Sequence, residues 1–140
     1  MIEEVYIHKA NCEEGQHLIS FIDLYEEWKE YFLKEQVIQH FCEDDFYFIY
    51  KETWENQEHY DSGHEGILET IGFLTVEYLS EKIRVLEHVW IRESEREKRF
   101  ATTAIAQTNA NYISTIGINE RSNEFINYIL ALGVLQKVIK

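Results

Sequence analysis

Runs of β-forming residues alternate with amphipathic stretches along the chain, and the first four runs define the centre of a predicted sheet. Alternation of apolar and polar residues over positions 4–9 predicts a first strand. Positions 46–53 are rich in aromatic and β-branched residues and predict a second strand. Two more strand-like runs, 67–79 and 82–92, are separated by so few residues that an antiparallel hairpin is expected.

Helical spacing of apolar residues separates the first predicted strand from the second. Asn11 and Glu14 have the form of a capping box, so we expect a helix to begin there. The apolar positions that follow predict two consecutive amphipathic helices. Their inner faces consist of Leu18, Phe21, Ile22, Tyr25 and Trp28 in the first helix, and of Leu33, Val37, Ile38 and Phe41 in the second.

Beyond Glu95 the pattern predicts a helix, a strand, a second helix and a closing strand. The two strands cover positions 113–118 and 134–139. Asn119 is a suitable N-cap for the second of these helices, and Gly133 suits its left-handed end. The inner faces of the two helices are formed by Phe100, Ala101, Ala104 and Ile105, and by Phe125, Ile126, Ile129, Leu130 and Leu132.

Positions 54–66 carry acids, amides, two histidines and two glycines, and they predict a mobile loop between the second and third strands. His59 and His64, with Asp61 and Glu65 beside them, are residue types that bind metals. Because a third firm ligand is missing, we expect a solvated loop and no metal site.

The full element order, β, α, α, β, β, β, α, β, α, β, predicts one α/β domain over residues 1–140, with helices on both faces of a mixed sheet.

The composition fits one soluble domain and argues against nucleic acid as a ligand. The chain has 140 residues, of which 45% are apolar and 28% are charged. Its formal net charge of −13 repels phosphate backbones and attracts cations, so a small cationic amine or a basic protein is the expected partner. Solubility alone is the competing explanation of this charge.

The sequence carries no sign of export or of a membrane segment. The N-terminus, MIEEVYIHKA, has acids where a secretion signal has bases. The longest apolar stretch, at positions 128–135, is far shorter than the roughly 20 residues that cross a bilayer. Cys12 and Cys42 form no C-x-x-C pair, so neither a disulfide framework nor a thiolate zinc site is expected. The natural compartment is therefore a reducing cytoplasm.

The junction at positions 91–101 is where a ligand is expected, because the N-terminus of a helix presents unpaired N–H groups and the positive end of its dipole. The sequence there is IRESEREKRFA. It resembles the pyrophosphate-binding segment of the GCN5-related N-acetyltransferases (GNAT), whose pattern after a strand is Gln/Arg-x-x-Gly-x-Gly/Ala. The element order resembles that family over nearly the whole chain, and Leu132-Gly133-Val134 is similar to its Leu-Gly-Phe after the last helix.

The resemblance implies an acyl-CoA N-acyltransferase-like fold, with a mostly antiparallel central sheet, and acetyl-CoA as co-substrate. Arg96 matches the opening residue of the motif and Ala101 its closing small residue. Arg99 and Glu97 stand where members of the family have glycine, which lets the backbone approach the diphosphate. The implied coenzyme-binding set is Val89, Ile91, Arg96, Glu97, Lys98, Arg99, Phe100 and Ala101.

For catalysis, the resemblance implies direct transfer from a thioester held between splayed strands to an amine. Glu87 is the candidate base, because it belongs to the alternating set 83, 85, 87, 89 and 91 on an otherwise apolar strand face. A paired or edge glutamate is the alternative. Tyr128 in the last helix is the candidate acid for the leaving thiolate, with core packing as its alternative. His88, on the opposite strand face, is either a second candidate base or a sheet residue.

Three hypotheses follow from these residues. The first is an acetyl-CoA-dependent N-acetyltransferase acting on a small cationic amine or a protein amine. The second is a catalytically degenerate member of the fold that serves as an acidic binding module for a basic protein. It is motivated by Arg99 and by Glu97, whose carboxylate at about 4 Å from a phosphate costs from about 1 to about 4 kcal/mol. The third is a homodimer joined through edge strands such as positions 134–139.

Overall fold

The computed structural model describes residues 1–9, 46–96, 98–114, 127, 129–131 and 136–138. The helices predicted over positions 11–41 lie outside the described residues, as do Glu97 and Tyr128. In the described part, residues 127 and 129–131 are helical, and no helix is long and apolar enough to cross a bilayer. The strands are β1 (Ile2–Lys9), β2 (Phe46–Trp54), β3 (Ile67–Ser80), β4 (Ile83–Ile91), β5 (Tyr112–Ser114) and β6 (Gln136–Val138), and two helices are α1 (Gln57–Asp61) and α2 (Phe100–Ala106).

The six strands form one sheet in chain order, from β1 to β6. Strands β1 to β4 pair antiparallel, whereas β5 is parallel to β4 and β6 is parallel to β5. This confirms the predicted α/β fold with a mixed, mostly antiparallel sheet. The predicted hairpin is formed by β3 and β4, with its turn at residues 81–82. The alternation over positions 4–9 located β1, and the runs of β-forming residues located β2, β3 and β4. Residues 115–118, 134–135 and 139 of the last two predicted strands lie outside the described residues.

Aliphatic and aromatic residues alternate along the central strands, so they lie on opposite faces of the sheet. On β3 and β4, Phe73 precedes Leu74 and Trp90 precedes Ile91. The rings of Phe73 and Trp90 stack at 6.2 Å. Leu74 and Ile91 belong instead to an aliphatic cluster that includes α2. The cluster consists of Val5, Ile49, Ile71, Leu74, Val76, Leu86, Ile91, Ala104, Ile105, Ala110, Ile113 and Ile129.

The sequence predicts a loop between β2 and β3, and this prediction is wrong because residues Gln57–Asp61 form α1. The side chain of Asn56 caps this helix by accepting a hydrogen bond at 2.9 Å from the backbone N–H three residues later. The ring of Tyr60 contacts Trp54 edge to face at 4.9 Å. A cap and an aromatic pair therefore hold the segment against the end of β2, and neither depends on hydrophobic periodicity.

One side chain of the α2 end covers the β1 edge of the sheet, and two backbones approach closely in its centre. The side-chain amide of Gln107, at the end of α2, donates to the carbonyl of Val5 at 2.7 Å and accepts from the N–H of Ile7 at 3.1 Å. It thus occupies the backbone groups of β1 much as a neighbouring strand would. Between β3 and β4 the backbones approach closely at Gly72, where a Cβ atom would lie 2.1 Å from the carbonyl oxygen of Trp90.

Candidate active site at the β4–α2 junction

The register of β4 breaks at Glu87. In the β3–β4 pairing Thr75 lies opposite His88, whereas the next residue, Val76, lies opposite Leu86. Glu87 is therefore the extra residue of a β-bulge. Its side chain is half-buried, and so is that of His88. The backbone N–H of His88 donates to the hydroxyl of Thr75 at 3.1 Å.

The bulge changes which side chains share a strand face. The predicted alternation places Glu87 on one face with residues 83, 85, 89 and 91, and this prediction is wrong. In the structure, Leu86 shares the aliphatic cluster with Ile91, Val89 packs against it, and Val85 is not a member. One inserted residue reverses the faces of all residues on one side of it. Glu87 thus lies at the point where the alternation of side chains between the two sheet faces reverses.

The bulge also marks the end of the described pairing between β4 and β5. This pairing joins Val85 to Tyr112 and Leu86 to Ile113. Ser114, the next residue of β5, lies opposite Val138 of β6. Residues 88–91 of β4 pair with β3, and within the described residues the ladder to β5 does not extend along them.

Hydrogen bonds to β3 and to the last residue of β4 fix the chain where it leaves β4. The backbone N–H of Arg92 donates to the carbonyl of Ile71 at 2.7 Å. The Nε atom of Arg96 donates to the carbonyl of Ile91 at 2.7 Å, and its guanidinium lies 6.0 Å from the centre of the Trp90 ring. The Arg96 side chain therefore folds back over the end of β4.

Arg99 has a left-handed backbone conformation, with φ 64° and ψ 16°. Among the described residues it is the only non-glycine with positive φ. This conformation costs an L residue about 1–2 kcal/mol, whereas glycine adopts it freely. Arg99 is the N-cap of α2, and its carbonyl accepts the N–H of Thr103 at 3.1 Å. The position at which the family motif has glycine thus keeps a glycine-like backbone while it carries arginine.

A network of charges with two buried members, Lys51 and Glu95, connects this junction to β2. Lys51 on β2 is 7% exposed and Glu95 in the 3₁₀ helix Glu93–Glu95 is 9% exposed. The Nζ atom of Lys51 is 2.7 Å from Oε1 of Glu95 and 3.5 Å from a carboxylate oxygen of Glu69. The other oxygen of Glu95, Oε2, is 3.3 Å from the Nζ atom of Lys98. Each oxygen of the Glu95 carboxylate therefore faces one lysine.

The opposite charges of this network shift the pKa values of Glu95 and Lys51 in the directions that keep both groups ionised. Burial alone raises the pKa of the Glu95 carboxyl, but the hydrogen bond and charge of Lys51, followed by those of Lys98, outweigh burial and hold the pKa below its usual range. Burial alone lowers the pKa of the Lys51 amine, but the hydrogen bond and charge of Glu95 and the charge of Glu69 raise it above its usual value. The pair consequently stays ionised across the neutral range.

The structure brings most of the predicted coenzyme-binding residues together at this junction. Lys98 and Arg99 are exposed. Glu97 and the candidate acid Tyr128 lie outside the described residues. Four of the predicted residues have side chains that pack in or against the aliphatic cluster, and these are Val89, Ile91, Phe100 and Ala101. This packing attaches the junction to the aliphatic cluster. The backbone N–H groups in the first turn of α2 have no partners within the helix.

Lys51 is the residue of this site that sequence analysis missed. Its signal is a lysine in the strongly β-forming run FYFIYKETW, because a lysine on a buried strand needs a buried acid. The partner, Glu95, lies 44 positions away, and no spacing rule connects the two.

The two histidines between β2 and β3 contact each other and side chains of their own segment. The rings of His59 and His64 lie 5.0 Å apart. His64 Nδ1 is 2.6 Å from the hydroxyl of Ser62, and His59 Nδ1 is 3.8 Å from a carboxylate oxygen of Glu55. Within the described residues, no group of three or more His, Cys, Asp and Glu side chains could hold a metal ion.

Solved structures of acetyltransferases share this fold. AAC(6′)-Iy, in complex with the bisubstrate analogue CoA-S-monomethyl-acetylneamine, is 16% identical and aligns over 90% of this chain and 89% of its own, with a TM-score of 0.53. A GNAT-family acetyltransferase from Bacillus cereus is 16% identical over 94% of this chain and 81% of its own, with a TM-score of 0.50. No family profile matches the chain, and no curated protein matches its sequence. The chain has the fold of the GCN5-related N-acetyltransferases, which confirms the predicted resemblance at the level of the fold.

Proposed function

We propose that the chain is an acetyl-CoA-dependent N-acetyltransferase that transfers an acetyl group to a primary amine. The observation that carries this proposal is the left-handed backbone at Arg99, which keeps the turn that glycine supplies in the family motif. The shared fold supports it, because the solved complex of AAC(6′)-Iy contains an analogue that joins coenzyme A to an acetylated amine compound.

The junction suits the diphosphate of coenzyme A in backbone and in charge. The N–H groups of the first turn of α2 are available to an anion, and Ala101 keeps the side chain in that turn small. Arg96, Lys98 and Arg99 supply positive charge, which opposes the negative charge of Glu97. Val89, Ile91 and Phe100 contribute through the packing that holds this backbone in place.

Bound acetyl-CoA would supply the activated acetyl thioester. Glu87 is the proposed general base, because its half-buried side chain lies at the bulge of β4, the strand that leads into the junction. From there it accepts a proton from the incoming amine. Tyr128 is the proposed proton donor to the leaving sulfur.

The proposed acceptor is a small cationic amine or an amine of a basic protein. The net charge of −13 concentrates cations around the protein and so favours both. We keep the reducing cytoplasm as the proposed compartment, on the grounds of Cys12 and Cys42. A homodimer through the edge strand at positions 134–139 is the proposed assembly, and the mass in solution tests it.

Binding of acetyl-CoA is the decisive test. A ligand at 100 times its dissociation constant stabilises the folded state by about 2.7 kcal/mol, which a thermal-shift assay detects. We expect stabilisation by acetyl-CoA, and acetylation of polyamines or aminoglycosides in its presence. Glu87→Gln is the matched variant, because it keeps the size of the side chain and should retain coenzyme binding while losing transfer. Absence of any shift at millimolar acetyl-CoA would exclude the enzyme.

The second candidate function is an acidic binding module for a basic protein that has lost the coenzyme. The observation that favours it is the presence of Glu97 and Arg99 where the family motif has glycine. On this hypothesis the unmodified protein does not bind coenzyme A, and the double variant Glu97→Gly/Arg99→Gly creates binding. Micromolar affinity of the unmodified protein for coenzyme A contradicts it.

A further inference from the structure

The Glu95 carboxylate holds two lysines that differ in burial. The Lys51 side chain on Oε1 is 9% exposed and the Lys98 side chain on Oε2 is 47% exposed. The inner contact is also the shorter one, at 2.7 Å against 3.3 Å. Lys51 is thus a fixed partner of Glu95, whereas Lys98 is a partner that solvent or a ligand can reach.

Because of this difference, Lys98 can leave Glu95 for another anion while Lys51 stays in place. If Lys98 leaves Glu95, the carboxylate keeps the hydrogen bond and the charge of Lys51, so that no buried charge remains without compensation. Lys51 has a further acid nearby, Glu69, at 3.5 Å. Movement of Lys98 therefore leaves the buried part of the network intact.

Lys98 is held close to the start of α2 before any ligand arrives. Besides its contact with Glu95, its Nζ atom lies 5.9 Å from the centre of the Phe100 ring. A lysine on a free surface loses much rotamer entropy when a ligand fixes it. A lysine that is already restrained near the binding position loses less entropy, so the ligand binds more tightly.

We propose that Glu95, anchored by Lys51, is a positioning residue that holds Lys98 ready for the diphosphate of acetyl-CoA. This inference rests on the proposed function and adds two residues to it, Lys51 and Glu95, neither of which needs to touch the ligand. On binding, Lys98 turns from Oε2 of Glu95 to a phosphate oxygen, and Lys51 alone neutralises the carboxylate.

The first arm of the test asks whether Lys98 binds the diphosphate. Calorimetry compares coenzyme A with pantetheine, which lacks the diphosphate. We expect Lys98→Ala to weaken coenzyme A binding about 10-fold, as for the loss of one charge-assisted hydrogen bond, and to leave pantetheine binding unchanged. Lys82→Ala is the matched control, because it removes the same charge from the exposed turn at the other end of β4. Equal affinity of the Lys98 variant and the unmodified protein for coenzyme A overturns the proposal.

The second arm separates positioning from charge. The double variant Lys51→Met/Glu95→Leu removes one charge of each sign, so the net charge stays the same, and apolar replacement of a buried pair is often tolerated. We expect a folded protein with about 5-fold weaker coenzyme A binding and unchanged pantetheine binding. An unchanged affinity means that the pair is only structural, and a tighter one means that Glu95 competes for Lys98. Either result overturns the proposal.

A single variant gives the same answer if the double variant does not fold. Glu95→Gln keeps the shape of the side chain and an acceptor for Lys51. Removal of a negative charge alone tightens anion binding, whereas loss of positioning weakens it, so weaker coenzyme A binding supports the proposal and tighter or equal binding overturns it. If the unmodified protein binds neither coenzyme A nor inorganic pyrophosphate, the proposed function and this inference both fail. If it binds coenzyme A and the variants do too with equal affinity, only the inference fails.

Discussion

Replacement of Arg99 by glycine is expected to stabilise the protein. Arg99 is exposed, and its φ of 64° lies in the left-handed region. An L residue pays about 1–2 kcal/mol for this conformation. Glycine avoids that energy but loses about 0.5–1 kcal/mol more backbone entropy on folding. The difference between the midpoints of these ranges predicts that Arg99→Gly raises the free energy of unfolding by roughly 0.7 kcal/mol.

Urea unfolding measures this change as a shift of the midpoint while the m-value stays constant, and two further variants serve as controls. Arg99→Ala removes the same guanidinium but keeps the Cβ atom, so it should give little or none of the gain. Gly63→Ala is the converse experiment, because Gly63 has φ +77° and a Cβ atom there would meet nothing within 4 Å. It should therefore lose about 1 kcal/mol through backbone conformation alone. The reasoning is refuted if Arg99→Gly is no more stable than Arg99→Ala.

The same variant tests the effect of the side chain on the ligand. If the arginine chiefly obstructs the approach of the diphosphate to the backbone, Arg99→Gly binds coenzyme A more tightly than the unmodified protein, and Arg99→Ala shows a smaller gain. Calorimetry in moderate salt decides, since salt screens the lost charge. Weaker binding by both variants would refute the obstruction and would show that the positive charge of Arg99 contributes more to binding than its bulk removes.

Three other predictions concern the scaffold. Gly72→Ala should destabilise the protein by at least about 2 kcal/mol in urea unfolding, because the new Cβ would lie 2.1 Å from the carbonyl oxygen of Trp90. Gln107→Ala should cost about 1–2 kcal/mol and accelerate hydrogen exchange at the amide of Ile7, while unchanged exchange there would contradict the edge contact. The pKa of Glu95 is lowered in the folded state, so the stability it contributes is present above the usual carboxyl pKa and is lost as pH falls through the lowered value. The stability difference between the unmodified protein and Glu95→Gln should hold steady between about pH 7 and 5 and shrink below about pH 4.

The strands could be predicted from sequence because burial in a sheet favours aromatic and β-branched residues and, where the two faces differ, an alternation of side chains. The same principle failed at Glu87, since a bulge adds one residue without any change in residue type that would mark it. It failed again between β2 and β3, where the cap at Asn56 and the pair of Trp54 and Tyr60 act over a few residues and leave no period. The contact of Lys51 with Glu95 depends on the sheet itself, so only the folded chain brings the two residues together.

Arg99 shows why a motif position is better understood as a backbone conformation than as a residue type. Glycine adopts positive φ without strain and also leaves room for a diphosphate, and these are separate properties. The structure keeps the first of them: hydrogen bonds on both sides, from Arg92 to Ile71 and from Thr103 to Arg99, hold the turn. A strain of about 1–2 kcal/mol is small beside the burial of the neighbouring aliphatic cluster, so the fold can impose this conformation on arginine. Under the proposed function, coenzyme binding at this junction depends on where the Arg99 side chain points, because the backbone of the turn already has the left-handed conformation.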